Sequence, residues 1–145
     1  MSDHAGDPLY RRDLLRLAAD AIGAGHLTDP DAMATAHNPA CGDRITVEIT
    51  LAGSLIQALA HTTQACVLTQ ASAALLAAQA PGRDQAALTA LAGAVGAFLD
   101  GGKAPAGYEV FDGVVSHPGR QVCVMLPFQA AMKALKACEP GGAGT

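Results

Sequence analysis

The segment RITVEITL, residues 44–51, restricts the fold more than any other part of the chain. Ile45, Val47, Ile49 and Leu51 alternate with Thr46, Glu48 and Thr50, the two-residue period of a strand with one buried and one polar face. Such a strand needs a neighbour. Ala52-Gly53-Ser54 offers a tight reversal, so 54–60 is expected to return as its antiparallel partner. A third short strand is expected at 65–68. Strands in succession and then helices point to an α+β fold: a small antiparallel three-stranded sheet packed against helices on one face, not a parallel βαβ array.

Helical periodicity fills much of the remainder. Leu14, Leu17, Ala18, Ala21 and Ile22 recur at helical spacing within 9–22, giving an amphipathic helix. Residues 23–38 contain Gly and Asp-Pro with little periodicity and read as loop. Thr69 is placed to cap an Ala-rich helix over 70–80, which Pro81-Gly82 ends. Asp84 is placed to cap a helix over 84–100, with Leu88, Leu91, Ala92, Val95, Phe98 and Leu99 on one face. Residues 103–120 read as loop, with a short strand or turn at 108–110. The last helix is expected over 124–137, with Pro127 in its first turn.

At 145 residues the chain is the size of one domain. We expect a flexible stretch at 1–8, the folded domain at 9–138 and a disordered tail at 139–145. Half the residues are hydrophobic but only 3% are aromatic and Trp is absent. The core must therefore be closely packed Ala, Leu, Val and Ile. A net charge of −4, with Lys and Arg scattered, argues against nucleic-acid and anionic-membrane partners. Residues 49–82 lack charge, yet polar residues interrupt every apolar run before it reaches the ~18 residues of a membrane span. The N-terminus lacks the layout of a signal peptide. These features suggest a cytoplasmic setting, where four cysteines serve as thiols or metal ligands rather than disulfides.

Three cysteines fall at chemically suggestive places. Cys41 shares the turn NPACGD with Asp43, just before the strand, while Cys66 and Cys123 each precede an expected helix start. A helix N-terminus favours thiolate, and zinc accepts thiolate and carboxylate ligands together. No CxxC pair is present, so residue types alone leave two readings open: a shared site, or unrelated buried thiols. Asp43 by itself also suits a turn.

The motifs carry a resemblance. Leu9-Tyr10 opening the first helix, NPACGDRITVEI, ACVLTQASAALL and RQVCVMLPFQAAMKAL occur in that order over about 9–137. Together they resemble the U-type iron–sulfur cluster assembly family (IscU, SufU and the N-terminal domain of NifU). The resemblance implies a ligand set of Cys41, Asp43, Cys66 and Cys123 for zinc or a transient iron–sulfur cluster. It implies Cys41, Cys66 and Cys123 as cluster thiolates and Cys123 as acceptor of sulfur from a cysteine desulfurase. Further implied partners are downstream assembly or carrier proteins and apo iron–sulfur proteins. Gly42 then lets the backbone bend between two ligands of one turn.

Val122 stands where IscU proteins have His, and the chain lacks their Leu-Pro-Pro-Val-Lys segment. Arg120, three before Cys123, and an inserted helix at 84–100 resemble SufU. Arg120 is thus a candidate to favour the Cys123 thiolate or orient the desulfurase. His61-Thr-Thr-Gln-Ala65 replaces a glycine-rich loop before Cys66. His37, His61 and His117 read as loop residues, and Cys138 as an incidental surface thiol. Two other functions remain: a structural zinc domain for interactions, and an enzyme using Cys123 or Cys66 with a histidine base.

Overall fold

The computed structural model describes residues 11–40 and 42–138. The expectations for 1–8, Leu9-Tyr10, 139–145 and Cys41 lie outside these residues. Helix α1 (Arg12–Asp20) is followed by three strands, β1 (Ala32–Asn38), β2 (Asp43–Ala52) and β3 (Leu55–Gln64). Helices α2 (Val67–Gln79) and α3 (Gln85–Leu99), a 3₁₀ stretch (Tyr108–Ser116) and helix α4 (Pro118–Ala137) complete the order.

The sheet is antiparallel in the order β1-β2-β3, with β2 in the middle. Ile45, Val47 and Ile49 are fully buried on the face that α2 and α4 cover. The α+β architecture expected from the alternation of β2 is present. The third strand is not where it was expected: 65–68 forms the entry to α2, and the third strand is β1, within the segment read as loop. Its sequence, AMATAHN, is rich in Ala and low in intrinsic strand preference. Pairing with β2 and packing against α4 override that preference, and the small inward residues Ala32, Ala34 and Ala36 let α4 approach closely.

The outer edge of β3 is partly occupied. Gly25 N donates to His61 O and His61 N to Gly23 O, each at 2.9 Å, while Ile56 pairs with Gly82 and Arg83. Gly23 has φ +79° and sits so close to α2 that any Cβ would collide with that of Ala77. His61 is therefore a buried strand residue, not a loop residue. On the polar face of β2, buried Glu48 accepts from Leu27 N at 2.9 Å and pairs with His26 Nδ1 at 2.6 Å. These bonds hold its pKa below the usual carboxylate value, the Leu27 bond first.

Helix α2 is nearly enclosed, with Leu68, Ala71, Ala74 and Leu76 at zero exposure. Helix α3 begins as expected, Asp84 Oδ1 accepting from Ala87 N at 2.8 Å. The region read as loop after α3 instead contains the 3₁₀ stretch. It inserts Tyr108 and Phe111 beside Phe128, with the Tyr108 ring centroid 6.0 Å from each.

Helix α4 starts earlier than expected. Pro118 occupies its opening turn, where a missing N–H costs nothing, so Pro127 lies in the interior rather than the first turn. Among the described residues no helix is long and apolar enough to cross a membrane.

Candidate metal and sulfur site

Three of the four expected ligands converge. Asp43 opens β2, Cys66 is the N-cap of α2, and Cys123 lies within α4. One ligand atom from each lies within 4.8 Å of the others. Cys41 is outside the described residues, and the turn around it is set by its flanks. Gly42 N donates to Asn38 O at 2.9 Å, and Gly42 adopts φ +74°, the bend expected before Asp43.

Local structure explains how the groups meet. Asp43 points into the protein because it starts the strand on the same side as Ile45 and Val47. Its Oδ1 accepts from Cys66 N at 3.3 Å, so the carboxylate takes up one of the free amides at the start of α2. Its Oδ2 lies 3.6 Å from Cys123 Sγ, whose thiol donates. Cys123 was expected just ahead of a helix; it lies inside one instead, because α4 begins at Pro118.

Thr69 was expected to cap α2, but Cys66 holds the cap position and Thr69 lies in the first turn. Thr69 is fully buried among the three candidate ligand residues. Its hydroxyl donates to Cys123 O at 3.0 Å and sits 3.5 Å from Asp43 Oδ2 and 3.7 Å from Cys66 Sγ. One turn on, Ser72 Oγ donates to Val124 O at 2.6 Å. Sequence reasoning missed the bearing of both hydroxyls on the site. Their spacing three apart after Cys66, on one helix face, was the available signal.

The two sulfurs differ in environment. The neighbouring Cys123 thiol pulls the Cys66 thiol well below its usual value, with burial opposing and Thr69 assisting. The closeness of Cys66 pushes Cys123 up, and burial pushes it further; the positive charge of Arg120, in the first turn of α4, acts in the opposite direction. Cys66 is half-buried, whereas Cys123 is 1% exposed. A polar recess of about 260 Å³ lined by His37, Asn38, Asp43, Arg44 and Gln64 reaches the carboxylate from solvent.

Two soft sulfur donors and one hard carboxylate suit zinc or iron. Asp43, Cys66 and Cys123 are the described residues that would hold the metal. The histidines are placed differently. His61 donates from Nε2 to Ile22 O and accepts at Nδ1 from Thr63, and His117 Nδ1 bonds Gly113 O. His37 lies exposed on β1. Cys138, at the end of α4, donates to Asp31 O at 3.0 Å, far along the helix from Cys123.

Thiols from two helices thus meet a strand carboxylate beside a sheet of three antiparallel strands, a group of side chains that could hold a metal ion. The sequence matches the family described as NifU-like N terminal domain over residues 9–106, and the chain belongs to that family. The match stops before the third cysteine, and the fold brings Cys123 to Asp43 and Cys66.

Solved structures agree in fold. A nitrogen-fixing NifU-like protein (N-terminal) from Brucella abortus is 29% identical and superposes with a TM-score of 0.85, covering 91% of this chain and 95% of that one. A putative iron–sulfur cluster assembly scaffold protein for the SUF system from Fervidobacterium islandicum AW-1 is 20% identical. It covers 90% of this chain and 99% of its own, with a TM-score of 0.81. No curated protein matches the chain.

Proposed function

We propose that this chain is an iron–sulfur cluster assembly protein of the SufU type. It accepts sulfane sulfur from a cysteine desulfurase and supports nascent cluster formation on Cys41, Cys66 and Cys123, with Asp43 as the fourth ligand. The observation that carries this reading is the meeting of Asp43, Cys66 and Cys123 within 4.8 Å, from three elements far apart in sequence. Membership of the NifU-like family supports it.

Zinc bound there between transfers would keep the thiols deprotonated. The transfer itself is an exchange of sulfur bonds. The Cys123 thiolate attacks the outer sulfur of the desulfurase persulfide and forms a new S–S bond. The old S–S bond breaks, the desulfurase cysteine leaves as thiolate, and the proton stays on the transferred sulfur. No external reductant is needed. Arg120 favours the Cys123 thiolate. Asp43, the one hard ligand, is the group that yields its place when iron or sulfur arrives. Zinc-dependent sulfur transfer, apo-protein recipients and a cytoplasmic setting belong to this reading.

One observation favours a second reading, a closed structural zinc domain: Cys123 is 1% and Asp43 5% exposed. Incubation with a desulfurase and cysteine, followed by mass spectrometry of trapped persulfides, separates the two. Added sulfur on Cys123, absent from Cys123→Ser, supports transfer. Sulfur appearing first on the more exposed Cys66 would reassign the entry point, and no added sulfur would favour the closed zinc domain.

A further inference from the structure

The hydrogen-bond ladder of helix α4 has a gap at the Cys123 carbonyl. In an α-helix the carbonyl of residue 123 accepts from the N–H of residue 127. Residue 127 is proline and has no N–H, so the Cys123 carbonyl loses its helical donor. A buried carbonyl without a donor is costly, and the hydroxyl of buried Thr69 supplies one at 3.0 Å. Thr69 has a single proton. Its other neighbours, Asp43 Oδ2 and Cys66 Sγ, lie farther away at 3.5 and 3.7 Å. Ser72 reinforces the join by donating to the next carbonyl, Val124 O, at 2.6 Å.

We propose that Pro127 and Thr69 act together as a positioning device. Pro127 frees the Cys123 carbonyl, and Thr69 captures it, which fixes Cys123 relative to Cys66. Thr69 follows Cys66 by three residues, so the two lie on one face of α2. The tether therefore ties the backbone bearing one sulfur to the turn bearing the other. A helix whose carbonyls all bonded internally would slide or rotate against α2 without losing a hydrogen bond at this point. Because the α4 carbonyl bonds outward, movement of Cys123 away from Asp43 and Cys66 leaves a buried acceptor bare. The inference rests on the reading of Cys123 as a site thiol.

The test uses cobalt(II) as the metal probe, read by thiolate-to-cobalt absorption, alongside thermal unfolding of each apo variant. Thr69→Val keeps the shape of threonine and removes the donor. It is expected to lower Tm and weaken cobalt binding by about 10–100-fold, as losses of groups that orient ligands do. Thr69→Ser keeps the donor and is expected to bind within about threefold of the parent on the same argument. In Thr69→Val/Pro127→Ala the carbonyl regains a helical donor, so Tm recovers while cobalt binding stays weak, because the tether between helices is still missing.

Recovery of cobalt binding together with Tm would reduce the pair to structural support and overturn the proposal. Parent-like binding by Thr69→Val would overturn it as well. Cys123→Ser is the control for the underlying reading. If it binds cobalt weakly while Thr69→Val binds normally, positioning alone fails. If it binds cobalt with an unchanged spectrum, Cys123 is not a site thiol, and the positioning proposal falls with that reading.

Discussion

Cys123 Sγ lies 3.6 Å from Asp43 Oδ2, with its thiol turned to donate, although the two residues are 80 positions apart. The same carboxylate accepts from the backbone of Cys66. Asp43 therefore ties the start of α2 to the Cys123 thiol of α4. We expect Asp43→Ala to weaken zinc binding by at least about tenfold, the scale at which loss of a group orienting the ligands is felt. Isothermal titration against the parent protein checks this.

Stability should fall in two acid steps. Burial lowers the pKa of His61 below its usual 6.5. The folded state therefore keeps it neutral, donating to Ile22 O, while the unfolded state takes up a proton. Its contribution is full above pH 6.5 and is lost as pH falls toward the lowered folded value. Glu48, held below 4.5 by Leu27 N and His26, follows the same sign at lower pH: full above 4.5 and lost as pH falls through its folded value. Denaturant unfolding from pH 8 to 3 should show both declines, and His61→Gln should remove the upper one.

The aromatic cluster gives opposite expectations for two neighbours. Phe111 is fully buried against Tyr108, so Phe111→Ala should cost about 3–5 kcal/mol. Tyr108 OH is buried and finds no hydrogen-bond partner among the described residues, and burial pushes its pKa up. Tyr108→Phe removes the unpaired group and should raise stability by about 1–3 kcal/mol, provided the ring stays in place. Thermal melts of the two variants check both signs.

The cap of α3 is a simpler case. Asp84 Oδ1 accepts from Ala87 N at 2.8 Å, and Asp84→Ala should cost about 1 kcal/mol. Chemical denaturation resolves a change of that size.

The sequence revealed most where one local rule acted alone. The alternation of 44–51 gave β2, its partner β3 and the buried face; the Asp84 cap and the apolar stripe after it gave α3. β1 escaped because its alanines carry no strand signal, and only pairing with β2 makes Ala32–Asn38 extended. The start of α4 escaped because Pro127 is a natural helix opener until its missing N–H is offset from another element, as Thr69 does here. The candidate ligands Asp43, Cys66 and Cys123 were legible as a motif set. The hydroxyls that hold them were not, since Thr69 reads equally well as a cap.

The most direct test is metal and acid-labile sulfide analysis of protein purified anaerobically from cells overloaded with neither metal. The parent chain should hold about one zinc, or iron and sulfide in equal amounts. Asp43→Ala and Cys123→Ser should each lose most of it while remaining folded. A parent chain without metal or sulfide, or folded variants that keep the full content, would contradict a single site built on Asp43, Cys66 and Cys123.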